Sequence, residues 1–196
     1  MNPETNPRAK DILNFWFGEP ENADYGKPRK VWFTKDTKFD EEVRSRFSTD
    51  YENAAAGNLD SWKASPENCL ALIILLDQFP RNMFRGEGRS FATDDKALSV
   101  ARHAVELGFD KQMIPVKRWF IYLPYEHSEN LEHQRQCVAL FQQLTDDPDS
   151  LSPIDYAIRH YRVIEKFGRF PHRNQILGRE NTPEETEFLQ QPGSSF

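Results

Sequence analysis

At 196 residues and a net charge of −6, the chain is long enough to bury a sizeable core and too acidic for general nucleic-acid binding. Apolar residues at 38% and charged residues at 29% exclude a disordered chain and a membrane-inserted one. Cys69 and Cys137 stand apart in helical patterns without C-x-x-C spacing, and no charged-then-apolar leader opens the chain, so both read as buried thiols of a cytoplasmic protein.

Residues 1 to 6 read as a frayed terminus. A short helix follows from Pro7 to Phe17, ended by Gly18-Glu19-Pro20, and residues 18 to 36 form a loop anchored by Val31-Trp32-Phe33. From about 37 to 56, Phe39, Val43, Phe47, Tyr51 and Ala54 recur at three- and four-residue steps, one face of a long helix that Gly57 stops. The next segment organises the rest. Leu70, Leu72, Ile73, Ile74, Leu75 and Leu76 surround a helix on every side, so it should be buried all round. Ser65 caps its start, Pro66 takes the first helical position, and Pro80 stops it. Asp77 then falls in the last turn, at the negative helix end, where a cation is needed close by; Arg81 and Arg85 are the ones in reach.

Thr93-Asp94-Asp95 caps a helix using Ala97, Leu98, Ala101, Ala104 and Val105 that stops at Gly108. Pro115 opens and Pro124 closes a short aromatic helix. Ser128 caps another from about 129 to 145, which leaves His127 just ahead of a positive helix end that favours its neutral, proton-accepting form. Ser152-Pro153 starts a helix that runs to Phe167, with His160 on its inward side. Thr182-Pro183-Glu184-Glu185 is a capping box on a short last helix. No stretch sustains a two-residue alternation, so the chain is predicted all-α. One domain over 1–196 is expected, or two helical lobes sharing a core and divided near 80–92.

One loop recurs. Phe79-Pro80-Arg81-Asn82 returns as Phe170-Pro171-His172-Arg173-Asn174, each after a helix, the second with His172 inserted. The second copy, with Arg169 ahead of it, is dense in donors, and arginine presents a planar fork for carboxylate or phosphate. Glu129 and His133 stand one turn apart, but a di-metal bundle needs a second Glu-x-x-His and the chain has none, so no metal is assigned. No Walker loop, dinucleotide fingerprint or Gly-x-Ser-x-Gly occurs, and no cofactor is assigned.

Asn14-Phe15-Trp16-Phe17-Gly18, Leu75-Leu76-Asp77-Gln78-Phe79-Pro80-Arg81-Asn82, Glu126-His127-Ser128-Glu129 and Gly168-Arg169-Phe170-Pro171-His172-Arg173-Asn174 together resemble the bacterial family catalogued as domain of unknown function 924. The resemblance runs from about residue 10 to about 190. It implies a tetratricopeptide-like array of antiparallel helix pairs and no particular activity.

The expectation for function is a small-anion site where the two Phe-Pro loops and the Glu126–Glu129 turn converge. Arg81, Arg85, Arg169 and Arg173 would meet a phosphate or carboxylate, with Glu129 also among the ligand-binding residues; Asp77 would orient an arginine, and Asn82 and Asn174 would fix loops or ligand. His127, His160 or His172 would move protons. The alternative is a protein- or peptide-interaction module, the usual use of such folds, with the polar cluster purely structural.

Overall fold

The computed structural model describes residues 5–195. The expectation of a frayed start at residues 1–4 lies outside them. Asn6, by contrast, is tied down: its N–H donates to Asn68 Oδ1 (2.8 Å) and its side chain caps the first helix. Eight α-helices follow among the described residues, with no strand: α1 (Pro7–Phe17), α2 (Thr37–Ala56), α3 (Pro66–Met83), α4 (Asp94–Glu106), α5 (Pro115–Glu126), α6 (Leu131–Gln142), α7 (Leu151–Phe167) and α8 (Pro183–Leu189). The fold is all-α.

α3 is the axis. Its residues from Asn68 to Pro80 are all buried, and α1, α2, α4 and α5 pack around it, as expected of a helix apolar on every side. Aromatic rings fill the gaps: Phe79 meets Phe47 (4.9 Å) and Trp16 (5.6 Å), while Phe120 meets Trp32 (4.9 Å) and Phe17 (5.3 Å). A smaller apolar cluster of Val163, Ile164 and Phe170 lies under α7 and the loop after it.

Several helix ends differ from expectation, each for a local reason. Pro80 does not stop α3, which runs on to Met83. Lacking an N–H, Pro80 cannot serve the Leu76 carbonyl one turn back. The Thr93 hydroxyl serves it instead, donating at 2.6 Å. Thr93 therefore forms no side-chain cap on α4, although it occupies the cap position. Ser65 likewise occupies the α3 cap position without a capping bond. Pro124 lies inside α5, which continues to Glu126, and Asn130, not Ser128, caps α6 by accepting from the Glu132 and His133 N–H groups. Ser128 turns to His133 Nδ1 (2.9 Å). His127 thus ends α5, at a carbonyl terminus.

Candidate functional site

Because α3 continues past Pro80, Asp77 sits more than a turn inside it, fully buried, and faces the end of α5. His127 Nδ1 lies 2.7 Å from Asp77 Oδ1, Gln78 Nε2 donates to Oδ2 at 2.6 Å, and Arg81 Nη1 stands 3.4 Å from Oδ1. Burial alone would raise the Asp77 carboxyl, but the adjacent Arg81 charge and the hydrogen bonds from His127 and Gln78 outweigh it and hold the group below the ordinary carboxylate range. An ionised Asp77 takes the hydrogen of His127 Nδ1, which leaves the lone pair on Nε2. Burial and the Arg81 charge lower the His127 imidazole against the pull of Asp77, so the ring is neutral. The positive helix end invoked from sequence is not the cause; burial is.

Arg81 reaches across to α4. Its fork binds Asp94 through Nη1 (2.8 Å) and Nη2 (2.9 Å), and Nη1 also donates to the Asp77 carbonyl (2.6 Å). Arg173 arrives at the same carboxylate from the 3-10 turn Pro171–Arg173, but its Nη1 stops 3.6 Å from Asp94 Oδ2. That is too long for a hydrogen bond. The guanidinium lies over two rings, Phe91 (4.7 Å) and Phe170 (4.5 Å), is 6% exposed, and its Nε has no hydrogen-bond partner among the described residues. Burial, reinforced by the Arg81 charge, lowers Arg173 to about 10.

His160 and His172 border the same region. His160 Nδ1 is directed at the Tyr156 carbonyl (2.9 Å) and lies 3.3 Å from Glu126 Oε1; its ring stands 5.4 Å from that of Phe170. Burial pushes His160 to about 3. His172 lies 5.6 Å from Phe170 on another side, and burial with the Arg173 charge brings it to about 4. All three histidines are neutral near pH 7.

The other expected residues do structural work. Arg85 does not reach Asp77; it forks onto Asp40 of α2 (both contacts 2.8 Å), and Asn82 donates to the same carboxylate (2.7 Å). Arg169 forks onto Glu185 (2.6 and 2.7 Å), which also builds the Thr182 capping box as read from sequence. Asn174 donates to Asn181 (2.7 Å). Glu129 accepts from the Phe170 N–H (2.8 Å) and from the fork of Arg179 (2.6 and 2.9 Å), strapping the second Phe-Pro loop to the start of α6. The two loops and the 126–129 turn therefore meet through Asp77 with His127 and through Arg81 and Arg173 at Asp94, whereas Asn82, Arg85, Arg169, Asn174 and Glu129 hold the loops in place.

Asp94 belongs to the cluster and was not assigned to it from sequence, and Glu126 was expected there only as part of the 126–129 turn, without a role of its own. Asp94 read as a first-turn acid serving the helix dipole. Glu126 gave no local signal of burial, because the aromatic helix was expected to close at Pro124 and runs on to Glu126. Among the described residues no group of three or more His, Cys, Asp or Glu is placed to hold a metal ion, and no helix is long and apolar enough to cross a membrane. Two open clefts lie elsewhere. One, of about 430 Å³, runs past Lys10, Asn14, Tyr25 and Lys117, and the other, of about 310 Å³, runs along α4 past Arg102 and His103.

Residues 12–193 match the model of a family described as "Bacterial protein of unknown function (DUF924)". The chain belongs to that family. It is similar to a solved protein of unknown function, ATU0120 from Agrobacterium tumefaciens, at 39% identity over 95% of this chain and 99% of that one, with a TM-score of 0.84. No curated protein matches. All four strings that carried the resemblance lie in or reach into the matched span, and three of them supply the cluster.

Proposed function

We propose that the chain binds a small molecule bearing a carboxylate or phosphate, held by Arg173, and that the Asp77–His127 pair accepts a proton from that molecule or from water beside it. The observation that carries this reading is the isolation of Arg173. A guanidinium taken out of water is costly unless paired and hydrogen-bonded. Yet Asp94 is occupied by the fork of Arg81, and the two phenyl rings cover the faces of Arg173 without offering an acceptor. An anion in the guanidinium plane would supply the missing bonds. His127, with Nδ1 on a carboxylate and Nε2 carrying its lone pair, has the form of a general base.

A structural reading of the cluster is favoured by one observation: both open clefts named above lie away from it. Thermal shift separates the two. Acetate and phosphate at fixed ionic strength should raise the melting temperature of the wild type by mass action. Arg173→Met keeps an apolar chain between the rings; it should melt at or above the wild-type temperature, because removing a destabilised functional charge relieves the fold. It should also lose the anion response. A clear loss of stability in Arg173→Met, with a flat anion panel in both proteins, would refute the site.

A further inference from the structure

The larger of the two open clefts, about 430 Å³, falls within the range of small-molecule sites, roughly 300–1,000 Å³. Lys10, Leu13 and Asn14 line it from one face of α1, Tyr25 from the loop that follows, Glu67 from the first turn of α3 and Lys117 from the first turn of α5. Lys117 is only 7% exposed, although a helix start is a positive end that disfavours a buried ammonium. Glu67 holds it there. The Lys117 Nζ donates to both Glu67 oxygens (2.9 and 3.1 Å) and lies over the rings of Tyr25 (5.6 Å) and Phe17 (5.7 Å). Burial lowers the ammonium, but the charge and hydrogen bonds of Glu67 raise it by more, so the pair is ionised.

A carboxylate offers about four lone-pair sites, and Lys117 occupies one on each Glu67 oxygen. The Glu67 side chain is 38% exposed and lines the cleft, so the others are open to a second donor. Lys10 is exposed and forms no ion pair among the described residues. Glu19 lies just outside, accepting from Asn14 Nδ2 at 3.0 Å. The lysines and glutamates at this cleft cancel in charge, yet both signs are displayed beside the apolar Leu13 and the Tyr25 ring.

We infer that this cleft binds a small zwitterion of the amino-acid class, with its ammonium on Glu67, its carboxylate on Lys10 and an apolar side chain against Leu13 and Tyr25. A molecule of one sign is drawn to one of these groups and repelled by the other, whereas a zwitterion meets an opposite charge at each end. The cleft is separate from Arg173, and neither reading depends on the other.

Leucine tests this against two fragments of itself: 4-methylpentanoate, which lacks the ammonium, and 3-methylbutylamine, which lacks the carboxylate. In calorimetric titration at pH 7 and constant ionic strength, leucine should bind about tenfold more tightly than either, since each fragment loses one charge-assisted hydrogen bond. Lys10→Met alters an exposed position and should leave the fold intact. It should weaken leucine about three- to fivefold, as loss of a solvated charge contact does, and leave 3-methylbutylamine unchanged. Two-dimensional NMR of the wild type should place the leucine-induced shifts at Lys10, Asn14 and Glu67, and needs no variant. Either fragment binding as tightly as leucine overturns the inference, as do unchanged leucine binding in Lys10→Met and shifts confined to other residues. No leucine binding at millimolar concentration overturns it as well.

Discussion

Replacing Asp77 by asparagine is the sharpest test of how the cluster is built. The side chain keeps its shape, so no cavity forms and the change is one of charge and hydrogen bonding. Gln78 can turn its amide to meet the new one, and Arg81 keeps both bonds to Asp94. The cost therefore falls on the His127 contact, a charge-assisted hydrogen bond at 2.7 Å, with a smaller part from Arg81 at 3.4 Å. Hydrogen bonds to charged groups contribute about 1.5–3 kcal/mol, and orphaning a buried charge outright costs about 3–5 kcal/mol. Since Arg81 is not orphaned, about 2 kcal/mol is expected. In urea, with a slope of roughly 2 kcal/mol per molar, the unfolding midpoint at pH 7 should fall by about 1 M with the slope unchanged. A double-mutant cycle with His127→Ala should return a coupling of about 1 kcal/mol or more, and one with Arg85→Ala none, because Arg85 is bound to Asp40. The sign with pH also follows. The Asp77 carboxyl is lowered in the folded state, so its contribution is complete above the unfolded value near 4 and is lost as pH falls below it. The variant should lack that part of the acid sensitivity. A midpoint shift under about 0.2 M, or equal coupling to Arg85, would refute the account.

Two further substitutions probe the scaffold that positions the cluster. Thr93→Val removes the donor to the Leu76 carbonyl while keeping the shape, and should cost about 1–2 kcal/mol in chemical denaturation; a neutral result would mean the carbonyl vacated by Pro80 finds another donor. Glu129→Gln weakens the strap between α6 and the second Phe-Pro loop; since this carboxylate is partly solvated, about 1 kcal/mol is expected, with faster amide exchange at Phe170 and Arg179 than in α3. Uniform exchange across both regions would count against the strap.

What could be read from sequence was what local spacing decides. The limits of α2 follow from Phe39, Val43, Phe47, Tyr51 and Ala54 on one face, with Gly57 in the left-handed region (φ 87°) that only glycine enters freely. The Thr182 capping box is decided within four residues. The proline stops failed because the penalty of an internal proline depends on whether the vacated carbonyl finds another donor, and Thr93 lies 17 residues from Leu76. Polar partners were still less legible. With 25 basic and 31 acidic residues, charge alone leaves hundreds of possible pairs, and nothing near Arg85 in the chain points to Asp40, 45 residues away. The neutrality of His127, expected from a positive helix end, comes instead from burial against α3, a tertiary fact.

The two Phe-Pro copies show why the cluster is uneven. In the first, the chain stays helical through Pro80, and Arg81 lies between Asp77 one turn back and Asp94 at the start of α4. In the second, Pro171 opens a 3-10 turn and the inserted His172 carries Arg173 one residue further; it stops 3.6 Å from Asp94 Oδ2, an oxygen that Arg81 already binds. Among the described residues, two arginines and two aspartates balance in charge but not in geometry: Arg81 has two carboxylates, and Arg173 none within hydrogen-bond reach. A network serving stability alone gains by giving each fork its own acid, as Arg85, Arg169 and Arg179 have in Asp40, Glu185 and Glu129. Arg173 is the exception among them. That unevenness is the reason to look for an anion at Arg173 before either open cleft.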